Sequence, residues 1–105
     1  MFELKKSGEK FHFVLKAGNG QVILSSQMYA SKASAMKGIE SVKANAADDS
    51  LYERKTAVNG KFHFNIKATN GQVIGSSQMY ASEAGVTTGI ESVKNNAPAA
   101  GIKEV

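Results

Sequence analysis

The amino-acid sequence predicts an α+β fold: two tandem β-β-β-α-β units forming a single mainly antiparallel sheet, with both helices on one face and exchanged C-terminal strands. Three observations carry this. One segment of the chain repeats, period-2 alternation marks strands in each copy, and helical spacing follows each set of strands. With an offset of 51, Lys10 to Ala46 matches Lys61 to Ala97 at roughly 27 of 37 positions, and Asn19-Gly20-Gln21-Val22-Ile23 followed by Ser25-Ser26-Gln27-Met28-Tyr29-Ala30-Ser31 returns without change from Asn70 to Ser82 except at Gly75. The 105 residues divide as one domain of two internal repeats, 1–50 and 51–105.

In the first copy, Phe2-Glu3-Leu4-Lys5-Lys6 alternates apolar and charged side chains as a half-buried strand does, and Ser7-Gly8-Glu9 supplies the turn. Lys10 to Lys16 alternates more strongly, with Phe11, Phe13 and Leu15 on one face and His12, Val14 and Lys16 on the other. Gly18-Asn19-Gly20 then reads as a hairpin turn, because Asn and Gly tolerate positive φ. Two registers follow. A two-residue turn pairs Leu15 with Leu24, and a three-residue loop with a bulge at Gly20 pairs Leu15 with Ile23 and Val14 with Leu24. The second is preferred, since Val14 and Leu24 change together to Asn65 and Gly75 as an exposed pair would, while Leu15/Ile66 and Ile23/Ile74 stay apolar.

Ser31 stands at an N-cap position, and Ala35, Ile39, Val42 and Ala46 form one face of a helix over Lys32 to Ala46. Gly38 weakens a helix interior, so its return as Gly89 predicts close approach to a strand or to the other helix. Asp48-Asp49-Ser50 ends the unit. Leu51 to Lys55 then serves both copies, leaving the first helix and opening the second set of strands. Ile102 to Val105 forms a last short strand that needs a partner edge, and pseudo-twofold symmetry sends it back to the first copy. Apart from Leu15/Ile66, the differences between copies fall at Val14/Asn65, Gly18/Thr69, Leu24/Gly75, across Lys32 to Lys37, and at Ala44/Asn95, which read as outer sheet face, loop and solvent side.

Composition excludes several classes of function. At 42% hydrophobic and 21% charged residues the chain is ordinary globular material rather than disordered. Thirteen Lys and Arg against nine Asp and Glu give a net charge of +4, enough for weak attraction to polyanions. The absence of Cys removes disulfides, thiolate nucleophiles and Cys-ligated zinc. The start has no apolar run of signal-peptide length and no stretch is long and apolar enough for a membrane span, so a cytoplasmic location is expected.

The run Lys-Phe-His-Phe-x-(Leu/Ile)-Lys-Ala-x-Asn-Gly-Gln-Val-Ile-x-Ser-Ser-Gln-Met-Tyr-Ala-Ser, followed by Gly-Ile-Glu-Ser-Val-Lys-x-Asn-Ala, resembles the YegP-like family of small, functionally uncharacterised bacterial proteins. The resemblance covers nearly the whole chain. It implies β-β-β-α-β units joined into one sheet with exchanged C-terminal strands, as tandem copies or as dimers of single units. It brings no catalytic or ligand residues.

The residues themselves offer two functional expectations. In the first, the chain is a non-enzymatic binding or interaction module with a weakly basic open sheet face. His12, Lys16, His63 and Lys67 are then the candidate polyanion-binding residues, flanked by Lys10 and Lys61, with nucleic acid or another polyanion as partner. No membrane partner and no cofactor is expected, and the chain is read as a monomer with an internal pseudo-dimer. The alternative is a small hydrolase or ligand-transforming enzyme using Ser26, Tyr29 and their copies Ser77 and Tyr80. No Gly-x-Ser-x-Gly elbow or Ser-x-x-Lys motif accompanies those hydroxyls, and two His without Cys or an acidic loop make no metal motif. Phe11 and Phe13 share the face of Leu15 and read as core rather than as base-stacking aromatics.

Overall fold

The alternating segments of the first copy form β1 (Phe2–Ser7), β2 (Lys10–Lys16) and β3 (Val22–Ser25), and the helical stripe forms α1 (Lys32–Asn45). The second copy gives β4 (Tyr52–Thr56), β5 (Phe62–Lys67), β6 (Val73–Ser76) and α2 (Glu83–Asn96), followed by β7 (Ile102–Glu104). The computed structural model describes all 105 residues. All seven strands make one sheet in the order β4-β5-β6-β3-β2-β1-β7. Every neighbouring pair is antiparallel except β1 and β7, which run parallel. The copies meet where Ser25 pairs with Ser76, its own equivalent, so the pseudo-twofold axis passes between them. No helix is long and apolar enough to cross a membrane.

Helix starts follow the predicted chemistry. The Ser34 N–H donates to Ser31 Oγ at 3.1 Å and the Gly85 N–H to Ser82 Oγ at 3.2 Å, each satisfying a donor that the first helical turn leaves free. Below the caps, Ala35, Ile39, Val42 and Ala46 are fully buried against Phe2, Leu4, Phe13 and Leu15 in one apolar cluster. The helices cross the seam between copies, α1 packing on β2 and β6 and α2 on β5 and β3. Neither copy therefore owns a complete core.

The preferred hairpin register holds only at the turn. Gly20 has φ 84° and the Ala17 N–H donates to Gln21 O, which gives the three-residue loop, and Lys16 pairs with Val22. Between Lys16 and Leu15 the ladder slips by one residue, so Leu15 pairs with Leu24 and Val14 with Ser25. The slip inserts Ile23 as a bulge and turns Leu24 onto the helix side, where it is fully buried. The expectation that Val14 and Leu24 form an exposed pair is thus overturned. Val14 is on the open face yet only 6% exposed, and Leu24 lies against Gly75. A Cβ at Gly75 would stand 2.8 Å from Leu24 Cγ, so two leucines cannot face each other at the axis.

The strand exchange is one-sided. β7 crosses to β1 with Phe2 opposite Ile102 and Leu4 opposite Glu104, while the matching segment of the first copy is consumed in opening β4. β4 is consequently a sheet edge with nothing paired to its outer side. The turn into β2 has two residues, Gly8 and Glu9, but the turn into β5 has three, Val58, Asn59 and Gly60. That extra residue sets Tyr52 in the place of Phe2 and Arg54 in the place of Leu4.

Candidate functional site

The four predicted polyanion residues all come from the inner strands β2 and β5, and period 2 sends them to the face away from the helices. There they do not form a free basic stripe. Lys16 Nζ is 3.0 Å from Glu3 Oε2, and Lys67 Nζ is 2.9 Å from Glu53 Oε2. Hydrogen bonding from Lys16 holds the Glu3 carboxyl below the usual range, and bonding from Lys67 and Asn65 does the same at Glu53. Each ion pair neutralises one of the two lysines expected to attract a polyanion. His12 lies beside Lys5 and His63 beside Lys55, and the Nδ1 atom of each is buried without a hydrogen bond. At most the Nε2 edge of either ring reaches the open face. The sequence could not signal these pairs, because β1 and β4 bring the carboxylates in across the sheet.

The hydroxyls proposed as nucleophiles have structural partners. Ser26 Oγ accepts from the Phe13 N–H at 2.9 Å and donates to Gln27 O at 2.8 Å. Ser77 repeats this with Phe64 and Gln78. The serine thereby stands in for a backbone carbonyl at the end of the ladder, beyond which Tyr29 pairs with Phe11 and Tyr80 with Phe62. The Tyr29 ring stacks on Phe13 at 6.1 Å and its hydroxyl lies over Gly38. A Cβ at Gly38 would be 2.5 Å from Tyr29 Oη and 2.9 Å from Phe13 Cε2, which explains why helices α1 and α2 both carry glycine there. Burial pushes the Tyr29 hydroxyl pKa up, so it resists ionisation.

What the structure brings together is the repeated stretch itself. Two clefts open at the seam, with volumes of about 230 and 190 Å³. Ala17, Gln21 and Ile23 of the first copy face Gln78, Tyr80, Gly89 and Ser92 of the second in one cleft. In the other, Ala68, Gln72 and Ile74 face Gln27, Tyr29, Gly38 and Ser41. The two sets are the same residues exchanged by the pseudo-twofold axis. Each cleft therefore combines the hairpin of one copy with the loop and helix of the other, and the two share a pair of glutamine carboxamides, a phenol and a serine above an apolar floor. They differ where Thr88 in the first cleft corresponds to Lys37 in the second, and in Asn19, which lines only the first, and Ser34, which lines only the second. Neither is lined by a carboxylate. The residues that form them were visible as identities, but duplication alone explains identity, and their convergence depends on how the copies meet.

A single sheet completed by two copies of one β-β-β-α unit, with matched clefts on its axis, defines a tandem-repeat α+β protein. The profile of the domain of unknown function DUF1508 matches twice, at residues 7–53 and 57–104, and the chain belongs to that family. It is 58% identical over 104 residues to the UPF0339 protein YegP of Shigella flexneri, covering 98% of this chain and 94% of that one. Two solution NMR structures share the fold. The yegP protein of unknown function from E. coli is 57% identical with a TM-score of 0.93, covering 98% of this chain and 90% of that one. The UPF0339 protein SO3888 from Shewanella oneidensis is 50% identical with a TM-score of 0.92, covering 98% of this chain and 88% of that one.

Proposed function

We propose that this protein is a non-enzymatic binding module whose ligand sites are the twin clefts of the seam. One observation carries the proposal: the stretch repeated most faithfully in the sequence supplies opposite walls of both clefts, Gln21 and Ile23 against Gln78 and Tyr80, and Gln72 and Ile74 against Gln27 and Tyr29. Carboxamide and hydroxyl groups without an acid suit an uncharged ligand that donates and accepts hydrogen bonds. The volumes lie below the ~300–1,000 Å³ of drug-sized pockets, so the ligand group is about one ring or one side chain in size. Lys37 lets the second cleft take an anionic substituent that the first does not attract.

The hydroxyl partners favour binding over catalysis. Ser26 and Ser77 are engaged with backbone groups, and no base is among their partners. The ion pairs at Glu3 and Glu53 favour the clefts over the open sheet face for the same kind of reason, since a neutralised lysine releases few counterions on meeting a polyanion.

Titration of the ¹⁵N-labelled chain with N-acetylglucosamine, uridine and acetylglycinamide tests the proposal. A bound probe is expected to shift the amides of Gln21 and Gln78 together with those of Gln72 and Gln27, and Gln27→Ala with Gln78→Ala is expected to abolish both responses. Shifts confined to β2 and β5, or no shift with any probe at millimolar concentration, would remove the clefts as ligand sites. Fluorescence anisotropy with labelled DNA and RNA covers the open face. Binding that persists at physiological salt and is lost on replacing His12, Lys16, His63 and Lys67 by Ala would move the site there.

A further inference from the structure

The two long edges of the sheet are treated differently by the chain. On the first-copy side, β7 runs parallel to β1, the Phe2 N–H donating to Gly101 O at 2.8 Å and the Val105 N–H to Leu4 O at 3.0 Å. Glu104 reaches Lys32 at the start of α1 at 2.7 Å. On the second-copy side, Glu53 and Lys55 pair inward to β5, so strand alternation turns the N–H and C=O of Arg54 outward, where no backbone partner meets them. Beside that edge a groove of about 390 Å³ is lined by Tyr52, Arg54, Thr87 and Ile90 and by Lys94, which pairs with the lining carboxylates Asp49 and Glu91. In the first copy the positions of Arg54 and Thr87 are held by Leu4 and Met36, which pack on the core.

We propose that β4 is a docking edge for an extended acidic segment of a partner protein, added parallel to β4 in the position that β7 takes on β1. This surface is separate from the seam clefts. The mode is β-augmentation, in which main-chain bonds hold the guest and side-chain contacts choose it. The pseudo-twofold axis fixes the register. The place of Ile102 falls beside Tyr52, that of Lys103 beside Glu53, and that of Glu104 beside Arg54. An apolar guest residue enters the groove at Tyr52 and Ile90. The next guest residue meets Glu53, and the following two meet Arg54 on the helix side and Lys55 on the open side. Arg54 spends one guanidinium N–H on Thr87 Oγ1 at 2.9 Å, and Lys55 makes one ion contact, at 3.5 Å to Glu53. Both are exposed, so two adjacent acidic residues in the guest meet a cation on each face.

The start of β4 limits where the guest can begin. The Tyr52 N–H already donates to Asp49 O in the 3₁₀ turn over Asp49–Leu51, so pairing begins at the Tyr52 carbonyl and extends toward Thr56. Asp49, Glu83 and Glu91 rim the helix side of the edge and oppose an acid placed on that side anywhere except beside Arg54. A second copy is disfavoured as occupant, because antiparallel pairing of two β4 strands about Arg54 sets that residue against itself.

The test uses the ¹⁵N-labelled full chain and two blocked peptides, Ac-Ile-Lys-Glu-Glu-Val-NH₂ and Ac-Ile-Lys-Lys-Lys-Val-NH₂. The acidic peptide is expected to shift the Arg54 and Thr56 amides and to slow hydrogen exchange at Arg54 by about tenfold, with the basic peptide inert. Arg54→Glu is expected to weaken the acidic peptide by about tenfold. Lys55→Glu gives the same direction of change and keeps the test intact if Arg54→Glu disturbs the fold, which the β2 and β3 amide shifts report. Equal response to both peptides, shifts at another surface, or no response at millimolar peptide in low salt overturns the proposal. So does sedimentation showing that the unliganded chain dimerises through the same amides, which would make a second copy the occupant.

Discussion

The two copies share most of their inner residues and differ where a tandem chain cannot be symmetric. At the axis, equivalent residues lie against each other and must fit themselves, so Leu24 fills space that Gly75 leaves free. At the edges, one copy has a strand to receive and the other does not, so Leu4 under β7 becomes Arg54 beside water, Met36 becomes Thr87 and Lys32 becomes Glu83. Where the environments match, the residues match: Gly38 and Gly89 each receive a tyrosine, and Ser26 and Ser77 each complete a ladder. Divergence at Leu24/Gly75 and Leu4/Arg54 therefore maps departures from twofold symmetry, whereas Gly18/Thr69 and Ala44/Asn95 differ at exposed positions, as loop and solvent side were expected to.

The axis gives the sharpest way to break that relation. Leu24→Gly leaves a cavity and is expected to cost ~4 kcal/mol, while Gly75→Leu overpacks the axis and is expected to cost ~2–3 kcal/mol. The double exchange Leu24→Gly with Gly75→Leu moves the asymmetry to the other copy and is expected to recover most of the loss. Urea unfolding of the three variants measures this, and a double variant no better than the sum of its parts would show that the axis is not self-complementary.

The edges come next. Leu4→Arg puts a cation under β7 and is expected to destabilise by ~3 kcal/mol, whereas Arg54→Leu is expected to stay within about 0.5 kcal/mol. Equal effects in thermal unfolding would contradict the unequal coverage of the two edges. At the matched position, Gly38→Ala and Gly89→Ala are each expected to cost ~2 kcal/mol, because the new methyl meets a tyrosine hydroxyl and a phenyl ring. Tyr29→Phe removes the nearest atom and is expected to relieve Gly38→Ala alone.

The smallest difference is electrostatic. Hydrogen bonds to lysine depress the folded-state pKa of Glu3 and Glu53, so their contribution is complete above the ordinary carboxylate value of about 4.3 and is lost as pH falls through the depressed value. Glu53 bonds to Lys67 and Asn65 and also contacts Lys55, while Glu3 bonds to Lys16. Glu53→Gln is therefore expected to flatten the acid limb of stability more than Glu3→Gln. Denaturant midpoints between pH 5 and pH 3 report the order, and the reverse order would mean that the richer network of the second copy adds nothing.

How far the sequence reached depended on whether a feature is local. The first strand, read over Phe2 to Lys6 and one residue longer in the fold, the hairpin glycine at residue 20 and the caps Ser31 and Ser82 were legible, because alternation, positive φ and a free helical N–H are decided within a few residues. The bulge at Ile23, which returns at Ile74, was not, and the room that lets Leu24 turn inward is left by Gly75, 51 positions away. Of the candidate site, His12, Lys16, His63 and Lys67 fell on the predicted face, but the carboxylates that meet the lysines come from neighbouring strands.

The sequence by itself determined the repeat, its elements and the identity of the residues at the seam, because backbone preferences and side-chain periodicity act over short spans. Only the tertiary structure decided which of those residues meet. The clefts arise from contacts between copies, the neutralised lysines from neighbouring strands within each copy, and the uncovered β4 edge from the lack of a strand beside it, and contact across a sheet depends on register and symmetry that no single stretch encodes.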